Sequence, residues 1–480
     1  MALTEITDFG LIVLAVSATV FVALLGMRLA DRFSLPYAAL FLVAAALLAE
    51  AFSSLQDVVS IREVERLTVV ALVIILFDGG LHIGLTRFRA SSGPILALGV
   101  LGTFVTAGLV ALVAHYVLGF DWILAGLVGA AIAPTDPAVT FSVFGSREIR
   151  GRSGTILQGE AGMNDPVGIA LMIGLIELAS EDDGHLSIVA SEFAVEMVIG
   201  LIVGVAGALA LLPVMRHVRL TAPPLYPIRV LAGAGIVYGL AAIAGGSGFL
   251  AVFVAGVILG DAAAPQKGEI ESFLSSLTGL AEIAAFVALG LTAGLGDLGA
   301  RDTWRDGLVL AVLLAFVARP LAVLPFLLPT RLTWGERVFI AWAGLKGAVP
   351  ILLGALALLG GVDDGPQLYG IIFVVVLFSV IVQGTSVPYV AERLRIPFRR
   401  VDHDLAEVLE FVVGEDAIAS GKRVDELPLS ERAWIGVLIR DQRPHTISGS
   451  VVLAPGDRVH VYCQPEDVSA LQRIFAGTAA

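Results

Sequence analysis

Thirteen mostly apolar stretches, each near the length a helix needs to cross a bilayer, run through the chain up to residue 390. They lie near 9–28, 35–51, 67–84, 94–118, 122–144, 153–178, 192–214, 227–244, 247–261, 273–295, 306–328, 336–359 and 367–390. A spanning helix takes about 20 such residues, with a range of about 17–25. The second and ninth stretches are short, and misreading the turn Gly245-Gly246-Ser247-Gly248 would leave twelve spans. The fold class expected is therefore an all-α polytopic membrane protein. Over 480 residues, 57% are hydrophobic and only 15% charged, against about 25% charged in soluble domains. A soluble fold of this size cannot bury so much apolar surface, which excludes a soluble enzyme. The net charge of −13 leaves no electrostatic footprint for nucleic acid.

Orientation follows from the Lys/Arg bias of short loops. With the N-terminus outside, inner loops carry Arg28, Arg32, Arg87, Arg89, Arg147, Arg150, Arg152, Arg216, Arg219, Arg229, Lys267, Arg331, Arg337 and four arginines between 393 and 400. Outer loops carry only Arg62, Arg66, Arg301 and Arg305, together with the acid clusters Glu181-Asp182-Asp183 and Asp363-Asp364. An odd number of spans then puts the C-terminus in the cytoplasm. Met1-Ala2-Leu3-Thr4-Glu5 lacks the basic start of a signal peptide, so the first span is expected to stay in a multi-pass protein of the cytoplasmic membrane.

After Arg400 the composition changes. Leu405–Gly414 and Val451–Cys463 contain short β-type runs, Pro455-Gly456-Asp457 is a turn signal, and Pro465–Phe475 reads as an amphipathic helix. The organisation expected is a transmembrane domain over 1–395, a linker over 396–403 and a small α+β cytoplasmic domain over 404–480. So small a domain is near the lower limit for folding alone and is expected to dimerise. The single cysteine, Cys463, excludes an internal disulfide framework.

Ionisable side chains inside spans cost about 2.5–3.5 kcal/mol each on insertion scales, so they mark function by default. Here they are Asp78, Asp136, Glu160, Asp165, Glu282, Arg319 and Lys346. Five acids face two bases. Even with both bases paired, the remaining carboxylates need a proton or a cation, which is what a cation or proton pathway requires.

Two spans are interrupted. Pro134-Thr135-Asp136-Pro137 sets two prolines around a polar pair in the fifth, and Gly344-Leu345-Lys346-Gly347-Ala348-Val349-Pro350 breaks the twelfth. Proline removes an N–H and clashes one turn back, so both helices are expected to unwind, which at membrane depth is tolerated only along a cavity or inside protein. The two breaks run in opposite directions, as inverted repeats require. Asp136 is expected beside the N-terminus of a second half-helix and Lys346 beside the C-terminus of a first half-helix, each at the favourable dipole end. In the sixth span, Gly159-Glu160-Ala161-Gly162-Met163-Asn164-Asp165-Pro166 puts Glu160 and Asn164 on one helix face, with Asp165 a step further round. Carboxylate, amide oxygen and freed carbonyls make a hard oxygen site for an alkali cation. Glu160 and Lys346 are expected to form a buried ion pair.

These motifs, with Phe77-Asp78-Gly79-Gly80-Leu81 and Ala318-Arg319-Pro320, resemble the bacterial monovalent cation/proton antiporters, the NhaP-like sodium or potassium/proton family related to the animal sodium/proton exchangers. The resemblance covers residues 9–392. It implies a thirteen-helix homodimer with inverted repeats, two crossed interrupted helices, a dimer domain and a mobile core domain. It implies that Asp165 binds the ion, with Thr135 and Glu160 lining the site, and that Asn164 and Asp136 stabilise the crossed helices. Lys346, Arg319, Asp78 and Glu282 are the supporting charges. The chain departs from the family in carrying Lys346 where Arg is usual, and Ala161 where several members have Ser. Residues 404–480 resemble the TrkA-C (RCK C-terminal) domain through Glu407-Val408, Gly421-Lys422 and Leu453-Ala454-Pro455-Gly456-Asp457. The domain implies a small-molecule or nucleotide ligand and points to the potassium/proton branch.

The activity expected is exchange of K⁺ or Na⁺ for H⁺, electroneutral because one carboxylate releases one proton per cation bound. No cofactor is called for. Two rivals were weighed. A gated cation channel would need a filter loop, which the chain lacks. An intramembrane aspartyl protease rests only on Gly294-Leu295-Gly296-Asp297, a short string in a chain with 53 glycines. His82 and His115 lie near membrane edges, where packing is a commoner role than pH sensing.

Overall fold

The computed structural model describes residues 36–51, 60–136, 139–140, 147–149, 151–180, 186–292, 302–400, 407–430, 433–440, 443–445, 447–463 and 467–476, with scattered positions between 10 and 25. The 9–28 stretch, the Glu181-Asp182-Asp183 cluster and Gly294–Asp297 fall largely or wholly outside them. The chain divides into two units, Met1–Arg399 and Arg400–Ala480.

The first unit is helical. Its helices are α1 (Tyr37–Ala51), α2 (Ile61–Ala90), α3 (Ser92–Leu118), α4 (Trp122–Ile132), α5 (Arg152–Ser180), α6 (Leu186–His217), α7 (Leu225–Ile243), α8 (Gly248–Gly260), α9 (Lys267–Thr292), α10 (Thr303–Leu327), α11 (Trp334–Trp342), α12 (Ala348–Leu359) and α13 (Gly365–Arg393). Among the described residues, eight helices are long and apolar enough to cross a membrane: α2, α3, α5, α6, α7, α9, α10 and α13. Four shorter apolar helices, α1, α4, α8 and α12, accompany them.

Local chemistry sets many of the ends. Ser60 and Glu63 close a capping box on α2, and Thr333 and Glu336 close another on α11. Asp121 caps α4 through the N–H groups of Ile123 and Leu124. The Gly245–Gly248 turn separates α7 from α8, with Gly245 at φ 74° and Ser247 capping α8. Three single π-turns interrupt longer helices: Ala97–Gly102 in α3, Leu314–Ala318 in α10 and Ser379–Gln383 in α13. Such turns gather at functional sites, and two of these three lie next to site residues below.

Helices approach closely where side chains are smallest. α2 crosses α8 through Gly80 and Gly256, where a Cβ on either would run into the other helix's backbone. In lipid, helix association depends on such close packing because lipid tails are as apolar as the side chains.

The second unit is a four-stranded antiparallel sheet, β1 (Glu407–Val412), β2 (Trp434–Arg440), β3 (Arg443–His445) and β4 (Arg458–Cys463), in the order β1-β4-β2-β3. Helix α14 (Val468–Phe475) contributes Leu471 and Phe475 to a core with Phe411, Leu438, Val459 and Val461. Phe411 and Phe475 stack with ring centroids 5.5 Å apart. The sequence runs at both ends and the turn at Gly456 (φ 86°) correspond to strands, turn and helix here. The strands between 434 and 445 were not read from sequence.

Candidate functional site

The site forms where two helices stop inside the helical unit. α4 ends at Ile132, and Ala133, Pro134, Thr135 and Asp136 follow in irregular conformation; α11 ends at Trp342, and Ala343 to Gly347 are irregular before α12 begins. The two breaks are hydrogen-bonded to each other. The Asp136 N–H donates to the Leu345 carbonyl at 2.7 Å, and the Thr140 hydroxyl donates to the Ala343 carbonyl at 2.8 Å. Gly347 has to be a glycine here, because a Cβ would occupy the space of the Asp136 carboxylate.

The charges reach across from one break to the other. Lys346 lies at the end of the other break's first half-helix. Its ammonium donates to the Ala133 and Pro134 carbonyls, both at 2.9 Å, at the C-terminal end of α4. The Asp136 carboxylate accepts from the Ala348 N–H at 3.4 Å, at the N-terminus of α12. Each charge meets a favourable dipole end, on the partner helix. Ser379, in the π-turn of α13, accepts from the Lys346 backbone N–H at 3.0 Å.

A correction concerns Glu160. It pairs with Arg319 of α10, next to that helix's π-turn, and not with Lys346. Both partners are buried, and the guanidinium lies over Gly344 of the α11 break. The physical reason is reach and donor geometry: the compact three-donor ammonium suits two adjacent carbonyls, whereas the planar guanidinium suits a carboxylate. Asp78 and Glu282, expected to support charge pairs, meet neither membrane base. Asp78 lies 3.2 Å from Nδ1 of His82 on the same helix, and Glu282 accepts from the Tyr37 hydroxyl.

Asn164 reaches from α5 to the α4 break. Its Nδ2 donates to the Thr135 hydroxyl at 2.9 Å, and its Oδ1 accepts from the Thr135 N–H at 3.4 Å. Asp165, one residue on, is buried, and its Oδ1, like Glu160 Oε2 and Asp78 Oδ1, has no hydrogen-bond partner among the described residues. Asp136 and Lys346 are the charged groups near enough to act on it. The structure thus brings Thr135, Asp136, Glu160, Asn164, Asp165, Lys346 and Arg319 around the two breaks. Tyr37, Thr140 and Ser379 also serve this network, and sequence reading missed them because hydroxyls in apolar helices carry no signal of their partners. His115 stacks on Trp122 at 4.0 Å and bonds to the Phe120 carbonyl, which is a packing role.

A buried carboxylate oxygen without a donor is costly. It is relieved by a proton or by a cation. No group of three or more His, Cys, Asp or Glu arranged for a resident metal occurs among the described residues.

Comparison with known proteins agrees with this geometry. The family model described as "Sodium/hydrogen exchanger, transmembrane" matches residues 17–393, and the TrkA-C domain model matches 408–476. A K(+)/H(+) antiporter NhaP2 from Shewanella sp. (strain ANA-3) is 31% identical over 85% of this chain and 73% of its own length. A K(+)/H(+) antiporter NhaP from Alkalimonas amylolytica is 32% identical over 86% and 74%. A Na(+)/H(+) antiporter NhaH from Halobacillus aidingensis is 29% identical over 69% and 84%. In fold, the chain is similar to the sodium proton antiporter MjNhaP1 from Methanocaldococcus jannaschii, with a TM-score of 0.66 at 23% identity, covering 79% of this chain and 99% of that one.

Proposed function

The chain belongs to the sodium/hydrogen exchanger family and is a cation/proton antiporter, neither a channel nor an enzyme; from that premise we propose that it exchanges K⁺ for H⁺ with Asp165 as the shared site. The observation that carries this reading is the buried Asp165 carboxylate oxygen with no donor, beside a helix break that Asn164 holds open. Proton and cation compete for that carboxylate, Thr135 and Glu160 complete the oxygen lining, and Asp136 and Lys346 hold the breaks. The occupied site crosses between the two sides, while the empty, charged site crosses poorly. The preference for K⁺ is supported by the TrkA-C domain and by the names of the 31–32% identical relatives.

The wider architecture belongs to the same proposal. Thirteen spans, inverted repeats and an N-outside orientation in the inner membrane are supported by the opposed breaks, the charges that link them and the arginine bias of one set of loops, and a homodimer is part of the same reading. The boundaries are 1–395 for transport, 396–403 for the linker and 404–480 for a cytoplasmic regulatory domain that takes a small-molecule or nucleotide ligand.

The test is dissipation of ΔpH in everted vesicles on separate addition of K⁺, Na⁺ and Li⁺. K⁺ should give the largest response, and Asp165→Asn should abolish all three while the protein still inserts. Wild-type-like flux in that variant would remove Asp165 from its role.

A further inference from the structure

Away from the crossed helices, a groove of about 580 Å³ lies where the start of α3, the start of α5 and the end of α10 meet. Two arginines line it, Arg152 and Arg331, and no acidic side chain does. Arg152 spends one N–H on the Ala90 carbonyl. Arg331 has no hydrogen-bond or ion-pair partner among the described residues. Glu336, at the start of α11, is already engaged, accepting from the Ser153 hydroxyl and from the Thr333 N–H and hydroxyl. Arg337 adds a third positive charge at this end and anchors the α10 terminus through the Leu328 and Thr330 carbonyls. The remaining wall is apolar, with Pro94, Pro325 and Phe326. Beside it, Leu96 and Leu328 are 45% and 56% exposed.

We propose that this groove binds an anionic phospholipid, the phosphate between Arg152 and Arg331 and the start of an acyl chain along Pro94 and Phe326. Arginine matches phosphate with a planar, permanently charged donor set. Basic pockets between spanning helices on the cytoplasmic side take anionic lipid headgroups, and the loop-charge bias assigns this end of the helices to the cytoplasm. A free phosphate shares the headgroup's chemistry but has no use for the apolar wall or for the exposed leucines beside it. Those features select a lipid.

The test uses full-length protein in detergent, stripped of lipid, with phosphatidylglycerol micelles, phosphatidylcholine micelles or inorganic phosphate added separately. Bound lipid is counted by native mass spectrometry and stability is followed by thermal melting. Phosphatidylglycerol should be retained and should raise the melting temperature above either other addition. Arg331→Gln should lower phosphatidylglycerol affinity about fivefold, and Arg152→Gln in addition about fivefold more. Arg62→Gln/Arg66→Gln, at the opposite ends of the spans, should leave it unchanged. Because Arg331 is exposed and has no described partner, its substitution alone tests the site without loss of the fold. Equal retention by Arg331→Gln, equal retention of phosphatidylcholine, or full replacement of the effect by inorganic phosphate would each overturn the proposal.

Discussion

Asp165 and Glu160 sit five residues apart on one helix, and only one of them is paired with a base. Glu160 meets Arg319 through Oε1, and each carboxylate keeps one oxygen with no donor among the described residues. Removing one partner of a buried pair typically costs about 3–5 kcal/mol because the other charge is stranded. Arg319→Ala should therefore lower the melting temperature of the purified protein, and Glu160→Gln in the same chain should recover part of the loss. Lys346→Ala should gain nothing from Glu160→Gln, since Lys346 serves the Ala133 and Pro134 carbonyls. A double-mutant cycle in detergent melts reads both couplings, and coupling of Glu160 to Lys346 in place of Arg319 would contradict the geometry. All seven intramembrane charges were visible in the sequence. Their pairing was not, because spacing along a chain says nothing about which helix lies opposite.

At the scale of elements, the two breaks act as one unit. Gly347→Ala would drive a methyl into the Asp136 carboxylate. Overpacking of this kind costs about 1–3 kcal/mol, and here it would part the Leu345–Asp136 contact. Exchange should fall sharply with insertion preserved, and vesicle flux with membrane-protein yield as the control would show it. The proline and glycine content made both breaks legible in the sequence, but contact of Asp136 and Lys346 with the opposite break required the crossing.

In the second unit, the Arg440 guanidinium bonds both oxygens of Asp457, at 2.7 and 2.6 Å, and the Ala454 N–H adds a third bond. Burial by itself would raise the Asp457 carboxyl, but these partners more than offset it and hold it below its ordinary value. A lowered native value means that its stabilising share is complete above the unfolded value of about 3.9. That share is lost as pH falls through the native value. Amide exchange in the Arg458–Cys463 strand of the intact protein should therefore accelerate below about pH 4, and Asp457→Asn should flatten that response. The turn at Pro455-Gly456-Asp457 was clear in the sequence. Trp434–Arg440, which supplies the arginine, was missed because Gly436 and the β-bulge beside it blur the alternation.

For the whole molecule, one exchanging carboxylate implies a cycle that moves no net charge. Asp136 is the other candidate for a second proton, but its carboxylate caps α12 and its N–H is tied to Leu345, which favours a fixed charge. In liposomes the exchange rate should be indifferent to a clamped membrane potential. A rate that scales with the potential would mean that two groups titrate, with Asp136 the first to substitute.

The sequence by itself determined the solvent, the class and the chemistry of this protein. Apolar stretches of spanning length leave no alternative to helices, because a bilayer offers the backbone no partner, and five acids against two bases demand a proton or a cation. Local rules also placed the caps, the prolines and the glycine turns, since these depend on neighbours a few residues away. Tertiary structure alone decided that Arg319 takes Glu160, that Lys346 and Asp136 serve each other's helices, that Tyr37 holds Glu282, and that Arg152 and Arg331 face one groove. Those contacts join residues a hundred or more positions apart, and only the packing of helices selects among partners of equal chemistry.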